Sequence, residues 1–414
     1  MQKQTRPTPG TSSFSLHRPT NASLATWVAF FTALYFYLPV MTLYLQQRGL
    51  NLFEISVMSG TILAAQFIAE VPTGVLADRW GRKRSWVIAI FLQLAGEAWF
   101  FFARSYWEFL LIAVVAGVGF AFASGTLEAL VYDTLPAEDR EHGMKIAMGR
   151  VASAGRLGNL AAFLISGWIA SQLTQERYLL AIGLTVISVA VGAVLTLLAR
   201  EPEVPAQRRE HPTPWSILQS GLLALRHNPR LQRIALLMIL SDPFGFYLVS
   251  LNQPYLQRAG VQGAWFGPVL AVGSLIAALS ERYSYKLEGR LGMRSGMFLV
   301  TALPGALYLL MAPVRLPVLA VALFIIQYGI LNAARPLLRS YINNHIESEN
   351  RATVLSMIAL LGNIYLAIMG AALGAIADRS LTGLFLFMGV IVLAAALLFR
   401  IDERHRSTGV PGAR

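Results

Sequence analysis

Long hydrophobic runs, separated by short polar and basic stretches, dominate the pattern of this chain. Each run is roughly 20 residues or longer, which is enough for a helix to cross a hydrocarbon core about 30 Å thick. Because backbone polar groups must be satisfied inside lipid, these runs are predicted to be α-helices. Twelve spans are predicted, with approximate bounds 23–47, 53–76, 84–103, 107–131, 144–171, 178–199, 231–256, 264–285, 293–311, 316–342, 352–376 and 381–400.

One set of residues recurs at a constant offset of 211 positions and indicates an internal duplication. A single offset that holds over about a hundred residues indicates two related halves, the build of transporters whose halves expose a central site alternately to each side. The predicted fold class is therefore all-α, with twelve transmembrane helices in two pseudo-symmetric six-helix bundles. The matched positions are Tyr44–Gln46 with Tyr255–Gln257, Gly49 with Gly260, Glu70 with Glu281, Leu76 with Leu287, Arg79 with Arg290, Gly81 with Gly292 and Arg140 with Arg351.

The spans and the duplication divide the chain into two bundles and three polar segments. The bundles are predicted at 22–199 and 231–400, with polar tails at 1–21 and 401–414. The linker 200–230 carries Trp215, Leu218, Leu222 and Leu225 at helical spacing. This spacing predicts a short amphipathic helix at the inner membrane surface, and a disordered linker is the alternative.

Composition supports a membrane protein and sets its orientation. The chain is 55% hydrophobic and only 14% charged, whereas soluble proteins carry about a quarter charged residues. The net charge of +12 could suggest nucleic-acid binding, but most basic residues fall in loops on one predicted side. By the positive-inside rule that side is the cytoplasm, and both termini are predicted there. The loops on the opposite side hold six basic residues, which are Arg48, Arg104, Arg177, Arg258, Arg315 and Arg379.

The residues that most enzyme chemistry needs are missing or scattered. The chain has no cysteine, and its six histidines lie in predicted cytoplasmic segments without metal-ligand spacing. No nucleotide-binding loop occurs, which excludes an ATP-driven pump unless a partner supplies one. We therefore predict no catalytic residues, metal, cofactor or nucleic-acid partner. The expected partners are a small-molecule substrate and the lipid bilayer, and a monomer is expected to suffice.

The loop between predicted helices 2 and 3 carries the most specific motif. Gly74 and Gly81 permit a tight turn and a close helix approach. Asp78 lies at a helix end, where a carboxylate can accept hydrogen bonds from a neighbouring helix N-terminus and pair with an arginine. We interpret the loop as a latch between the halves, and a basic anchor that only sets topology is the alternative. The loop reads Gly74-Val75-Leu76-Ala77-Asp78-Arg79-Trp80-Gly81-Arg82-Lys83.

This loop resembles the signature G-x-L-a-D-R-x-G-R-K of the major facilitator superfamily, with every motif position filled. The resemblance covers the whole chain, through twelve predicted helices, two halves and a weakened second copy at 287–294, where Gly289 replaces the aspartate. The stretch Glu70–Gly74 resembles a branch common among bacterial efflux-type members. Two motifs of many family exporters are missing: Leu111–Val131 holds no arginine, and Gly155–Asn159 holds no proline.

Charged residues inside the predicted spans are candidates for a central site, because each costs about 2.5–3.5 kcal/mol at a helix centre. Arg156 and Asp242 lie near the predicted midplane, and Asn159 shares the helix face of Arg156. A polar stripe on helix 10 adds Tyr328, Asn332, Arg335 and Arg339. Tyr37 and Tyr247 are candidate pocket aromatics. A buried structural ion pair for Arg156 and a kink-stabilising role for Asp242 remain the alternatives.

Five charged residues are predicted nearer the cytoplasmic ends: Glu70, Glu128, Arg150, Glu281 and Arg339. In the family arrangement helix 5 packs beside helix 8, so Arg150 is predicted to bridge to Glu281 as an inner gate. Glu128 and Arg339 are repeat-equivalent positions of opposite sign, and each is expected to pair within its own half. Purely structural pairs are the alternative. Glu97, nearer the outside on a helix that is peripheral in the family, is expected to snorkel or to be paired.

Together these features predict a secondary transporter. Glu70, Glu281 or Asp242 is expected to load and release protons, and competition between proton and substrate is the physical basis of antiport. The leading hypothesis is proton-coupled efflux of a small organic or drug-like compound. The alternatives are an organic-anion porter, which Arg156 and Arg335 favour because guanidinium suits carboxylates, and a receptor or scaffold of the same fold that no longer transports.

Overall fold

The computed structural model describes residues 20–136, 140–202, 229–346 and 351–399. Within these ranges the chain forms helices and turns and no strand, which confirms the all-α prediction. The predicted linker helix around Trp215, the tail 401–414 and most of the tail 1–21 lie outside the described residues.

The first half begins with a helix that is broken in two. The break contains a short 3-10 helix, Leu38–Val40, whose second residue is Pro39, so the single span predicted at 23–47 is wrong in this respect. Thr185 accepts a hydrogen bond from the backbone N–H of Phe36 at 3.1 Å and so satisfies one donor that the break leaves unpaired. The helices of this half are α1 (Asn21–Thr32), α2 (Met41–Gln47), α3 (Leu52–Trp80), α4 (Arg82–Phe102), α5 (Tyr106–Ala123), α6 (Thr126–Thr134), α7 (Arg140–Ile169) and α8 (Gln175–Leu197).

The span predicted at 107–131 is also broken, between α5 and α6. Gly125 has a φ of 69° there, a left-handed conformation that glycine adopts without steric cost. The second half of the chain consists of α9 (Pro229–Arg258), a 3-10 helix (Gly263–Trp265), α10 (Phe266–Met311), α11 (Pro317–His345), α12 (Arg351–Arg379) and α13 (Leu381–Leu398). Helix α10 bends at Gly292, where φ is 74°, so it comprises two predicted spans.

Nine helices in the described ranges are long and apolar enough to cross a membrane, and Ser295–Met311 is a shorter apolar helix. The broken first helix and α7, whose hydropathy is lowered by Arg150, Arg156 and Asn159, are not among the nine. The exact count of twelve therefore stays a prediction.

The two halves are held together mainly at one end of the molecule. At this end α3 packs against α12, and α7 packs against α10. Glycine permits the close approach: a Cβ added to Gly374 would lie 2.6 Å from the Cα of Phe53, and one added to Gly263 would lie 2.6 Å from the carbonyl oxygen of Ala170. We call this the sealed end, and it lies at the loops 48–51, 170–174 and 259–262.

At the opposite end the charged side chains are exposed. We call it the open end, and it includes the α3–α4 turn at Gly81 and the chain leaving α8 at 200–202. Glu70, Asp78, Arg79, Glu128, Arg150 and Arg339, all of which were predicted near the cytoplasmic ends of helices, are exposed.

Candidate substrate-binding site and gates

An ion pair joins the two halves between the sealed and open ends. Nη2 of Arg156 on α7 lies 2.8 Å from Oε2 of Glu281 on α10. The side chains are 62% and 29% exposed, so the pair is reachable from solvent. The prediction that Glu281 pairs with Arg150 is wrong, because Arg156 lies six residues further along the same helix, about 9 Å along its axis.

Polar groups of α10 and α11 surround this pair in the second half. The hydroxyl of Tyr328 on α11 lies close to Ser274 on α10 and within electrostatic range of Arg335, Glu281 and Arg156. Arg335 lies two turns from Tyr328 and is exposed. The structure therefore brings together Arg156, Glu281, Tyr328 and Arg335, which we call the central cluster.

The local sequence of α11 explains why the central cluster forms. Tyr328, Asn332 and Arg335 follow each other at spacings of four and three, so they share one helix face. Nδ2 of Asn332 donates to the carbonyl oxygen of Tyr328 at 2.7 Å, and the Tyr328 ring stacks on Phe324 with centroids 5.8 Å apart. Gly273 leaves room for this ring, since a Cβ there would touch Cδ1 of Tyr328 at 3.4 Å.

The remaining candidates for the cavity are Asn159, Asp242 and Tyr247. Asn159 is half-buried on α7, one turn from Arg156. Asp242 lies in α9, but its side chain is outside the described part of the structure. Tyr247 is fully buried, donates to the carbonyl oxygen of Leu366 at 3.1 Å and packs against Gly370. The prediction that Tyr247 lines a pocket is therefore wrong for this conformation, because its hydroxyl ties α9 to α12.

Tyr37 is buried as well, and it contacts Glu97, for which snorkelling or pairing was expected. The Tyr37 hydroxyl donates to Oε2 of Glu97 at 2.8 Å, and the Tyr35 hydroxyl lies near the same carboxyl group. Nε2 of Gln93 donates to the Tyr35 hydroxyl at 2.9 Å. Glu97 is 8% exposed, so it does not snorkel, and it lies in the interior of the first half. Sequence reasoning missed this site because helix 1 was taken as continuous, although Pro39 is a signal for a break.

A glutamine closes the sealed end between helix 1 and α9. Oε1 of Gln253 accepts a hydrogen bond from the backbone N–H of Thr42 at 2.7 Å, and its Nε2 donates to the carbonyl oxygen of Leu38 at 2.9 Å. The Thr42 hydroxyl donates to the carbonyl oxygen of Ser250 at 2.8 Å. These bonds satisfy backbone groups that the helix-1 break and the α2 N-terminus leave unpaired.

An aspartate closes the sealed end between α3 and α12. The carboxylate of Asp378 accepts hydrogen bonds from the backbone N–H groups of Leu52 at 2.7 Å and Phe53 at 3.0 Å. It therefore caps the N-terminus of α3 from the other half, where a negative charge is stabilised by the helix dipole. Sequence reasoning missed this contact because its partners lie more than 300 residues apart.

The motif loop at the open end is organised within the first half. Gly81 has a φ of 94°, and Glu201 accepts hydrogen bonds from the backbone N–H groups of Arg82 at 2.6 Å and Lys83 at 3.1 Å. The Arg82 guanidinium donates to the carbonyl oxygen of Ala129 at 2.9 Å and forms an ion pair with Asp133. The carboxylate at the start of α4 is therefore that of Glu201, and the latch role of Asp78 stays a prediction.

The other motif and gate residues lie at or near the surface of the open end. Asp78 and Arg79 are exposed in the last turn of α3, and Gly74 is half-buried one turn earlier. The structure does not bring Glu70, Glu128, Arg150 or Arg339 into the central cluster. Across the described ranges, no group of three or more histidine or acidic side chains is placed to hold a metal ion.

Comparisons with known proteins agree with this architecture. The chain is 24% identical over 388 residues to the uncharacterized MFS-type transporter YxaM of Bacillus subtilis (strain 168), covering 88% of this chain and 90% of that protein. A mutant of the nucleoside transporter NupG has a similar crystal structure, with a TM-score of 0.76 and 16% identity over 92% of this chain and 99% of that one. An inward-facing, unoccupied bacterial homolog of the human lysosomal transporter Spinster gives a TM-score of 0.66 and 15% identity over 94% of this chain and 100% of that one.

The family model described as the Major Facilitator Superfamily matches residues 23–368, most of both halves. Similar structures below 25% identity show the fold alone, whereas the family match and the near full-length relative indicate a transporter rather than an enzyme. The chain belongs to the Major Facilitator Superfamily and is a multi-pass membrane protein that works as a secondary transporter.

Proposed function

We propose that the chain carries a small organic anion across the bacterial inner membrane by alternating access, coupled to protons. The observation that carries this proposal is the Arg156–Glu281 pair, which spans the two halves and is open to solvent. A site at which both halves meet is the place where a bound substrate can favour one arrangement of the halves over the other.

The charge of the central cluster favours an anion. Arg156 and Arg335 together outweigh the single carboxylate of Glu281. Arg156 reaches Glu281 through one nitrogen, Nη2, and a guanidinium can present a second N–H to a carboxylate in a parallel pair of bonds. Tyr328, with its ring stacked on Phe324, adds a hydroxyl beside these charges.

The ion pair offers a route to proton coupling. An anion that binds Arg156 takes the cation away from Glu281, and a proton can then neutralise the carboxylate. Anion and proton would then bind together and move in the same direction. The proton gradient would supply the energy without a cofactor, and one chain would suffice because both sides of the central cluster belong to it.

A second candidate, proton-coupled efflux of a drug-like compound, is favoured by the partial exposure of Glu281. A cation or hydrogen-bond donor that binds this carboxylate would compete with the proton, so the two would move in opposite directions. Both candidates use the same two states. With the predicted sidedness, the open end faces the cytoplasm and the present structure is inward-facing.

Glu281→Gln separates the two candidates. The amide keeps the size of the side chain but removes its charge, so Arg156 is released for an anion. The anion porter is then expected to bind its substrate more tightly and to lose its response to a pH gradient. A drug exporter is expected to lose binding of its cationic substrate. The measurement is flux of a labelled panel of carboxylates and organic cations in inverted vesicles, with imposed pH and sodium gradients.

Arg156→Ala tests the anion site directly, and Arg150→Ala is its matched control on the same helix. Losing one hydrogen-bonded charge contact is expected to weaken carboxylate transport by about tenfold or more, while cations are affected less. Arg150→Ala is expected to transport normally. Equal losses for anions and cations in Arg156→Ala would contradict the anion proposal and leave the ion pair with a structural role. Flux that ignores both gradients and a protonophore would contradict coupling.

A further inference from the structure

We propose that Glu97 is a proton-binding site, and that its proton controls the helix-1 break and through it the sealed end. This inference deepens the proposed function, since it adds a control of proton coupling, and it rests on the alternation between two states. It does not depend on which substrate the central cluster binds. Glu97 lies in the first half, and neither the latch nor the central cluster uses it.

The surroundings of Glu97 are those of a protonatable site. No basic side chain among the described residues lies within ion-pair distance of its carboxyl group. Its hydrogen-bond partner is the hydroxyl of Tyr37, the Tyr35 hydroxyl lies nearby, and Gly96 beside it packs against Ile112 and Val115 of α5. A buried carboxylate without a cation is costly, and a bound proton removes that cost.

The titratable side chains near Glu97 on the helix-1 break, α2 and α8 are tyrosines. Tyr35 and Tyr37 come from the helix-1 break, Tyr44 from α2, and Tyr178 from α8, whose ring lies 5.5 Å from that of Tyr44. On α5 the carboxylate of Glu108 is occupied at the helix start, where it accepts hydrogen bonds from the backbone N–H groups of Arg104 and Ser105. Glu97 is therefore the group in this site that changes charge.

Protonation changes the hydrogen bonds that hold the break. As a carboxylate, Glu97 accepts a hydrogen bond from Tyr37, and the nearby Tyr35 hydroxyl accepts one from Gln93. A protonated carboxyl group gains one O–H donor and keeps only a neutral acceptor oxygen, so its bond from Tyr37 is weaker than the charge-assisted bond to the carboxylate. The bond from Tyr37 is the one that fixes the 3-10 helix Leu38–Val40, because Tyr37 immediately precedes it.

The break connects directly to the other half. Leu38, the residue after Tyr37, accepts a hydrogen bond from Gln253 of α9, and Gln253 also binds the backbone of Thr42. A change in the Tyr37–Glu97 bond therefore acts directly beside Leu38, which contacts the other half at the sealed end. We infer that the ionised form favours the sealed arrangement seen here and that the protonated form favours opening.

Spin-label distances across the sealed end test this inference. The chain contains no cysteine, so Arg104→Cys and Arg315→Cys give two labels at repeat-equivalent exposed positions, one on each half. The labelled protein is studied in lipid nanodiscs without substrate, over a range of pH. On acidification the ratio of open to sealed populations is expected to rise by about tenfold, the effect of weakening one hydrogen bond to a charged group.

Three variants decide the outcome. Glu97→Gln mimics the protonated side chain and is expected to show the open-favouring ratio at every pH. Tyr37→Phe keeps the carboxyl group but removes the bond to the break, and it is expected to lose the pH response. Glu176→Gln, the same change at an exposed position near the sealed end, is expected to behave as wild type. A Glu97→Gln protein that responds to pH like wild type would overturn the inference.

The same experiment separates this inference from the proposed function. If Glu281→Gln abolishes the pH response while Glu97→Gln retains it, the proton that opens the sealed end binds in the central cluster, and the inference about Glu97 is overturned. If both Glu97→Gln and Tyr37→Phe lose the pH response while Arg156→Ala transports anions normally, the inference about Glu97 is supported and the proposed anion site is contradicted.

Discussion

At the scale of single residues, the motif loop contains a carboxylate contact that the sequence did not single out. Glu201 binds the N-terminus of α4, and Arg82 reaches Asp133, so these contacts stay within the first half. Asp78 is exposed nearby at the open end. A latch between the halves at this end would form in the opposite state, in which the open end closes.

Asp78→Asn is expected to impair transport without affecting folding. The substitution removes the charge that a latch needs in the closed form of the open end, while the sealed-end contacts of the present state are untouched. Substrate flux in vesicles should fall by about tenfold, with normal membrane insertion and thermal stability. Glu128→Gln, an exposed acid at the same end, serves as the control. Full flux in Asp78→Asn would leave the loop as a topology anchor.

From the sequence, the depth of a charged residue along its helix could be predicted. The side chain with which it pairs could not. Arg156 and Glu281 were both identified as interior charges, but Glu281 was assigned to Arg150. Two arginines less than two turns apart on α7 cannot be distinguished as partners without the crossing point of α7 and α10. Glu97 was assigned to the periphery, since a continuous helix 1 would not have brought Tyr35 and Tyr37 to it.

At the scale of helices, a close glycine contact joins α7 and α10. Gly167 and Gly267 face each other at the sealed end, and a Cβ on Gly267 would overlap the carbonyl oxygen of Phe163. A Cβ on Gly289 of the same helix would meet open space. The same substitution is therefore expected to have opposite effects at the two positions.

Gly267→Ala is expected to weaken the sealed end, whereas Gly289→Ala is expected to be neutral or stabilising by up to about 1 kcal/mol, because alanine favours helices over glycine. In Gly267→Ala the backbone of α7 must move, which disfavours the sealed arrangement. Thermal unfolding in detergent measures the stability, and the distance between labels at Arg104→Cys and Arg315→Cys measures the opening. Equal behaviour of the two variants would show that the α7–α10 contact does not limit sealing.

Helices were predicted better from the sequence than the breaks within them. Apolar length locates most spans to within a few residues, because a hydrocarbon core demands it. The breaks at 33–40 and at Ser124–Gly125 were not predicted, since both lie inside apolar runs. They depend on partners elsewhere in the fold, such as Thr185, which binds the backbone of Phe36.

At the scale of the whole molecule, the duplication predicts two equivalent contacts between the halves at the sealed end, which we call seams. In the structure the two seams are stabilised by different interactions. In the α3–α12 seam, Asp378 binds the first N–H groups of α3. The repeat-equivalent of Asp378 is Gly167, and in the α7–α10 seam a Cβ there would lie 2.6 Å from Cδ of Pro268. One seam is therefore held by a charge and the other by close packing. Salt concentration is therefore expected to affect the first seam alone.

Asp378→Asn is expected to loosen the sealed end, because the amide keeps one acceptor oxygen but loses the second acceptor and the negative charge at the start of a helix that belongs to the other half. Losing one such hydrogen bond and the charge costs about 0.5–2 kcal/mol, so opening should become about two- to thirtyfold more frequent. Ser56 is buried in this seam, beside Gly374, and Ser56→Cys provides the only thiol in the chain. Its reaction rate with a membrane-impermeant maleimide reports opening from the sealed side.

The matched control for this experiment is Glu54→Gln. Glu54 also caps the N-terminus of α3, through the backbone N–H of Asn51, but it belongs to the same half as that helix. Its loss should weaken the helix start without releasing the seam, so the Ser56→Cys labelling rate should stay near that of the parent. If Asp378→Asn and Glu54→Gln raise the rate equally, fraying of α3 explains the result and Asp378 does not hold the halves together.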